Sequence, residues 1–155
     1  MEERPMRRKD REISEQEARQ LLAQGEYGVL STVSPDGTPY GVPLSYVYHQ
    51  GEIFFHSAPE GRKVEYLATG ARASFCVVGA TRLLPEKFST RYESAIASGE
   101  IRELDGDEKR AALSRLVEKY APEFRPQGEE YIAQAEGTTR VYALCVRHLT
   151  GKRRR

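Results

Sequence analysis

Tyr27-Gly28-Val29-Leu30-Ser31-Thr32-Val33-Ser34, then Pro35-Asp36-Gly37-Thr38, then Pro39-Tyr40-Gly41-Val42-Pro43-Leu44-Ser45-Tyr46-Val47-Tyr48 run consecutively, and their reading decides the fold. The outer pieces are rich in β-branched and aromatic residues, which pack well on a pleated surface. Asp36-Gly37 between them is a tight-turn signature, so the two pieces pair as a hairpin. A second turn at His49-Gln50-Gly51 returns the chain into Glu52 to Ser57, making three antiparallel strands in succession.

Upstream, Ser14-Glu15-Gln16-Glu17 is a capping box opening a helix over Glu15 to Gln24. Ala18, Leu21 and Leu22 form its apolar stripe, Ile13 acts as a staple residue, and Gly25 supplies the stop. Downstream, a short helix over roughly Gly61 to Leu67 precedes a strand at Arg72 to Val78. Phe88 to Leu104 is a long extended segment, with a bulge or bend expected at Ser98-Gly99. Asp107 caps a helix through Tyr120, and a shorter helix spans Glu129 to Ala135. Thr139 to Leu149 alternates as a last strand. About six antiparallel strands with peripheral helices make a mainly β protein, best completed as a small closed or nearly closed barrel, since closure removes exposed edges.

At 155 residues the chain has the size of one domain. Its formal net charge of +1 argues against an electrostatic nucleic-acid binder. Basic residues gather at the ends, in Arg7-Arg8-Lys9 and Lys152-Arg153-Arg154-Arg155. The expected division is a basic, disordered arm over residues 1–12, one domain over 13–150 and a basic tail over 151–155. Cys76 and Cys145 each lie in an apolar alternating run, as buried free thiols of a reducing compartment do, and no metal-type spacing is present. The N-terminus is charged and no run approaches membrane-spanning length, so a soluble cytoplasmic protein is expected.

The chemistry concentrates in Phe55-His56-Ser57-Ala58-Pro59-Glu60-Gly61-Arg62-Lys63, which runs from a strand into a short helix carrying two adjacent cations. Unpaired N–H groups at a helix start, the Ser57 hydroxyl, the Arg62 fork and the Lys63 point charge all suit a phosphate. By residue type alone, Arg62 and Lys63 fit a solvated helix face equally well. His56 alone reads as a structural histidine, and Tyr40, Tyr46, Tyr48 and Tyr92 as strand aromatics with their hydroxyls at the rim. Pro43 cannot donate to a ladder, so it marks an edge or bulge where a planar ligand meets free backbone groups.

The order and spacing of Gly28-Val29-Leu30-Ser31-Thr32, Gly37 to Tyr46, Phe54-Phe55-His56-Ser57, Gly61-Arg62-Lys63, Tyr92-Glu93-Ser94-Ala95-Ile96, Gly99 and His148-Leu149-Thr150-Gly151-Lys152 resemble the flavin-binding split barrels related to pyridoxamine 5'-phosphate oxidase. Within that superfamily the chain is most similar to Nim-type nitroimidazole-resistance proteins. The resemblance implies a six-stranded antiparallel split β-barrel and a homodimer with FMN at the subunit interface. By its terms the strand matching Tyr40, Val42, Pro43, Leu44 and Ser45 lies along the flavin ring. His56 and Ser57 sit beside the cofactor, and Arg62 and Lys63 bind its phosphate. Tyr92 and Ser94 approach from the partner chain.

The implied activity is FMN-dependent reduction of small electron-poor acceptors such as nitroimidazoles or other nitroaromatics, with His56 orienting or protonating the acceptor. Oxidation of pyridoxamine phosphate fits less well, because the chain has no tryptophan and lacks the arginine-rich C-terminal substrate motif. A flavin- or haem-binding module without turnover, a deazaflavin-dependent reductase and a nucleic-acid-associated dimer using its basic termini stay open as alternatives. Ser31, Ser34 and Ser45 lie in no nucleophile elbow, and no phosphate-binding glycine loop occurs, so a hydrolase or nucleoside-triphosphatase finds no support.

Overall fold

Ser14 and Glu17 satisfy each other's orphan backbone N–H groups, at 2.9 and 3.1 Å, and so start helix α1, Glu15–Gln24. The computed structural model describes residues 4–155. After α1 come strands β1 (Gly28–Val33), β2 (Pro39–Leu44), β3 (Val47–His49) and β4 (Glu52–Ser57), then helix α2 (Arg62–Glu65). Strands β5 (Arg72–Val78), β6 (Arg82–Leu84) and β7 (Ser89–Leu104) follow. Helices α3 (Gly106–Tyr120) and α4 (Arg125–Ala135) and strand β8 (Arg140–Arg154) complete the chain.

The pairing is antiparallel throughout, in the order β2-β1-β5-β7-β8-β4-β3, with β6 attached to β7. β2 and β3 stand at opposite ends of that path, yet only Ser45 and Tyr46 separate them in sequence. Three trans peptide steps span at most about 11 Å, so the two ends of the sheet must meet. The sheet therefore curls into a barrel, with the split at the Ser45-Tyr46 corner. Tyr46 N–H donates to Tyr120 Oη at 2.9 Å, Lys119 Nζ donates to Tyr46 O at 2.8 Å, and Tyr46 Oη donates to Leu22 O. The end of α3 and the end of α1 thus clamp the corner from two sides.

Inside the barrel, Leu30, Phe55, Phe75, Ile101, Tyr142 and Leu144 form one core, plugged at one end by Leu21 and Leu22 of α1. Tyr46 meets Phe75 edge-on at 4.7 Å. A second core lies outside the sheet, where Leu113 and Leu116 of α3 and Ile132 of α4 cover Phe54, Leu104, Val141 and Ala143. The β7–β8 register shifts between Ser98 and Gly99, where the bulge was expected. Glycine is required there, since a Cβ at residue 99 would sit 1.7 Å from Cys145 O.

Several boundaries move. The sheet has eight strands rather than about six. The segment 39–48 is two strands, because its halves pair at opposite edges, and Arg82–Leu84 pairs with β7 within a stretch that lacks alternation. The short helix holds only Arg62–Glu65, and α3 begins after Asp105 rather than at Asp107. Gly25 ends α1 in an extended conformation, φ −60°, not a left-handed one, and a Cβ there would meet Tyr46 Oη at 2.4 Å. The stretch set apart as a tail, 151–155, belongs to β8 through Arg154. Of the arm set apart as 1–12, residues 1–3 lie outside the described residues; Lys9–Arg11 forms a 3-10 turn and Glu12 bridges Lys152. Among the described residues no helix is long and apolar enough to cross a membrane.

Candidate functional site

β4 ends in a change of side-chain environment. Phe55 is fully buried and stacks on Tyr142 at 5.6 Å, and His56, opposite Val141, faces outward and is exposed. Ser57 turns back into the interior, where its Oγ donates to Ala58 O at 2.9 Å. The hydroxyl expected to meet a phosphate is therefore spent on the backbone.

The chain then turns through Gly61, at φ +134°, into α2. Arg62 is exposed and Lys63 is half-buried, and among the described residues neither has a carboxylate partner. Desolvation lowers the Lys63 pKa. Desolvation, helped by the charge of Lys63, lowers the pKa of His56 too, so at neutral pH it is an uncharged imidazole with one donor and one acceptor. The Arg62 guanidinium lies 5.9 Å from the Tyr40 ring centroid, and Tyr40 meets Tyr66 edge-on at 5.8 Å. Tyr40, His56, Arg62 and Lys63 thus converge where α2 lies against the start of β2 and the end of β4.

β2 supplies a different resource. Among the described residues it pairs with β1 alone, so its other side is a free edge of backbone N–H and C=O groups. Pro43 sits on this edge strand, where proline costs least. Val42 and Leu44 alternate toward the barrel core, while Gly41 and Pro43 alternate outward and Ser45 is exposed at the corner.

Tyr92 and Ser94 lie elsewhere in the protomer. They are on the N-terminal half of β7, opposite Arg154 and Lys152, whereas β8 opens with Arg140 opposite Ser57. Most of the length of β8 separates them from the Arg62–Lys63 cluster. Tyr92 Oη accepts from Arg11 at 3.5 Å. Ser94 shares an outward face with a ladder that crosses five strands, Pro43, Val29, Cys76, Ile96 and Thr150. That face leaves Val33 60%, Val78 58% and Ile96 49% exposed, beside a row of Ser31, Ser74 and Ser98. Burial pushes the Cys76 thiol up, as expected for an inert rather than a reactive cysteine.

Sequence reasoning missed Tyr66, the aromatic partner of Tyr40, and the Lys119–Tyr120 clamp. Lys119 Nζ donates to Gly25 O at 2.7 Å and lies 3.9 Å from the Tyr46 ring centroid; Tyr120 Oη donates to Glu26 O at 2.6 Å. Their partners are backbone carbonyls far away in sequence, and no side-chain pattern announces those.

No functionally curated protein matches this chain in sequence. In solved structures the chain is similar to a candidate 5-nitroimidazole antibiotic resistance protein from Bacteroides thetaiotaomicron, at 24% identity over 91% of this chain and 85% of that one, with a TM-score of 0.73. It is also similar to the FAD and heme binding protein from Mycobacterium smegmatis, at 22% identity over 90% and 71% of the two chains and a TM-score of 0.79. The flavocytochrome Anf3 from Azotobacter vinelandii shares 14% identity over 97% and 72%, with a TM-score of 0.75. At such identities the likeness establishes the shared barrel fold. The family model for pyridoxamine 5'-phosphate oxidase matches residues 14–153, from the α1 capping serine to the penultimate residue of β8, and the chain therefore belongs to that family.

Proposed function

We propose that the protein is a cytoplasmic, FMN-dependent oxidoreductase that works as a homodimer and reduces small electron-poor acceptors such as nitroimidazoles or other nitroaromatics. The observation that carries this reading is the pair Arg62 and Lys63, two cations without a carboxylate partner among the described residues, set between His56, Tyr40 and the free edge of β2. These residues fit a flavin mononucleotide. Arg62 offers a fork and Lys63 a point charge to the phosphate, while the β2 edge at Val42, Pro43, Leu44 and Ser45 offers backbone donors and acceptors to a planar polar ring. Ser57 contributes through its position at the strand end, since its hydroxyl is already bonded.

Bound flavin supplies reversible electron transfer. The chain binds and positions. His56, uncharged at neutral pH, holds an acceptor through its ring N–H or relays a proton at a ring nitrogen. The outward face carrying Val29, Val33, Val78 and Ile96 suits a second copy, because a sheet face of this breadth is seldom left in water. In such a dimer Tyr92 and Ser94, on the same ribbon, are the residues a protomer offers to its partner's flavin.

Purified protein should retain about one FMN per chain after desalting, as one phosphate site per protomer requires. Arg62→Ala/Lys63→Ala should weaken FMN binding by about 2–4 kcal/mol, the scale of two charge-assisted hydrogen bonds; a double variant that keeps stoichiometric flavin at low added FMN refutes the phosphate assignment. His56→Gln should keep the flavin and slow nitro-acceptor reduction. A haem absorption band in place of flavin bands, or bound flavin with no acceptor reduction by wild type, would leave a binding module instead.

A further inference from the structure

Phe88 is 99% exposed, and its backbone sits in the left-handed region at φ +48°. A bulky side chain costs energy there that glycine would not, and no packing within the protomer offsets it. The residue ends the 3-10 turn Pro85–Lys87, at the tip of a ribbon that leaves the barrel. β7 pairs with β5 only as far as Ser94 and with β8 only as far as Tyr92; from Arg91 back to Ser89 its sole partner among the described residues is β6. At about 3.4 Å per residue, the tip reaches up to about 14 Å beyond Tyr92.

The outward face of the barrel continues along this ribbon. Ile96, Ser94, Tyr92 and Thr90 alternate onto one face of β7, and Leu83, 76% exposed, is paired with Thr90 on that face. Leu84, paired with Ser89, turns to the other face and is buried. The exposed apolar stripe of Val29, Val78 and Ile96 thus runs on past the barrel to Leu83 and ends beside Phe88.

We propose that the β6–β7 ribbon is an arm that reaches across the dimer and walls the acceptor side of the partner's flavin site, with Phe88 as the residue against which a flat acceptor ring packs. The inference rests on the dimer and flavin reading above. In that reading Tyr92 and Ser94 meet the partner's flavin, and the ribbon is the direct extension of β7 beyond them. Within its own protomer the arm is remote from the Arg62–Lys63 cluster: it leaves the barrel where Arg154 nears the end of β8, whereas Arg140, at the other end, pairs with Ser57 beside α2. A second copy is the occupant that the surface selects, because Leu83 is continuous with the stripe proposed to meet that copy, and a two-fold axis through the stripe carries its extension onto the other subunit. The tip also suits the acceptor. The negative face of a phenylalanine ring attracts an electron-poor aromatic ring in an offset stack.

The test uses the full-length dimer and the absence of tryptophan from the chain, which makes Phe88→Trp a single-indole reporter at a position exposed in the protomer. Acrylamide should quench its fluorescence freely in the Ile96→Asp/Phe88→Trp monomer, or on dilution to monomer, and several-fold less in the FMN-loaded dimer. A protein that stays monomeric at every concentration, or an indole quenched equally in both states, overturns the arm, whether or not FMN is retained. A dimer that shields the indole but retains no FMN refutes the flavin reading and with it the acceptor wall. For the reaction, FMN-loaded dimer reduced with stoichiometric dithionite is mixed with metronidazole. Phe88→Ala should keep wild-type flavin content while the metronidazole concentration for half-maximal re-oxidation rises about three- to tenfold, the scale of one aromatic ring pair. Phe88→Tyr should restore it, whereas a merely structural role would lower flavin content or folding instead. An unchanged concentration dependence in Phe88→Ala overturns Phe88 as the wall, even where the indole is shielded.

Discussion

The outer surface of the sheet has two halves built by the same alternation and finished differently. On one half, Phe54, Leu104, Val141 and Ala143 project outward and disappear under Leu113 and Leu116 of α3 and Ile132 of α4. On the other, Val29, Val33, Val78 and Ile96 project outward and stay exposed, with Ser31, Ser74 and Ser98 between them. β7 runs through both, changing halves near the Gly99 bulge. Outward apolar residues thus do not by themselves define a core; what counts is whether this chain has an element left to cover them. The helices between β7 and β8 reach one half only, and the uncovered half is where a second copy is proposed to bind.

The largest expected effect comes from breaking the covered half. Leu116→Ala opens a cavity under α3 and should cost about 2–5 kcal/mol in urea unfolding; a loss well under 1 kcal/mol would show that the two halves differ less than their burial indicates. On the open half, Ile96→Asp should leave the monomer's unfolding cooperative while lowering the dimer fraction in sedimentation, and the flavin content with it. An unchanged dimer would move the interface off this face. The seam between the halves offers a smaller, pH-dependent test. Burial pushes the Lys119 ammonium from 10.5 down to about 8, against the pull of two carbonyl oxygens and the Tyr46 ring. Since the unfolded chain holds that proton more tightly, the stability difference between wild type and Lys119→Met should shift in favour of wild type as pH rises from about 8 to 10.5. A difference flat across that window would mean the carbonyls hold the ammonium charged in the fold.

Legibility from sequence followed the range of the interactions. The capping box at Ser14 and Glu17, the Asp36-Gly37 turn and the bulge at Gly99 are read correctly, since each is decided within a few residues or by one steric demand. In the candidate site, the neighbourhood of His56 with Arg62 and Lys63 follows from their adjacency in the chain. The edge-on contact of Tyr40 with Tyr66, the commitment of the Ser57 hydroxyl to Ala58 O and the clamp on Tyr46 depend on how distant elements close, and were not legible. Tyr92 and Ser94, expected to approach the flavin from the partner chain, lie within one protomer on a part of β7 distant from Arg62.

Residue order alone determined the elements that alternation and capping can specify, the family resemblance and the adjacent cations of α2. Tertiary structure alone decided that 39–48 breaks into two strands at opposite edges, that closing the sheet at Ser45-Tyr46 makes a barrel, that one outer half is covered and the other is not, and that β6 and the start of β7 form a ribbon beyond the barrel. The reason is physical: alternation specifies which face a side chain takes, but strand partners are chosen by loop closure and burial across the whole chain, and those carry no local signature.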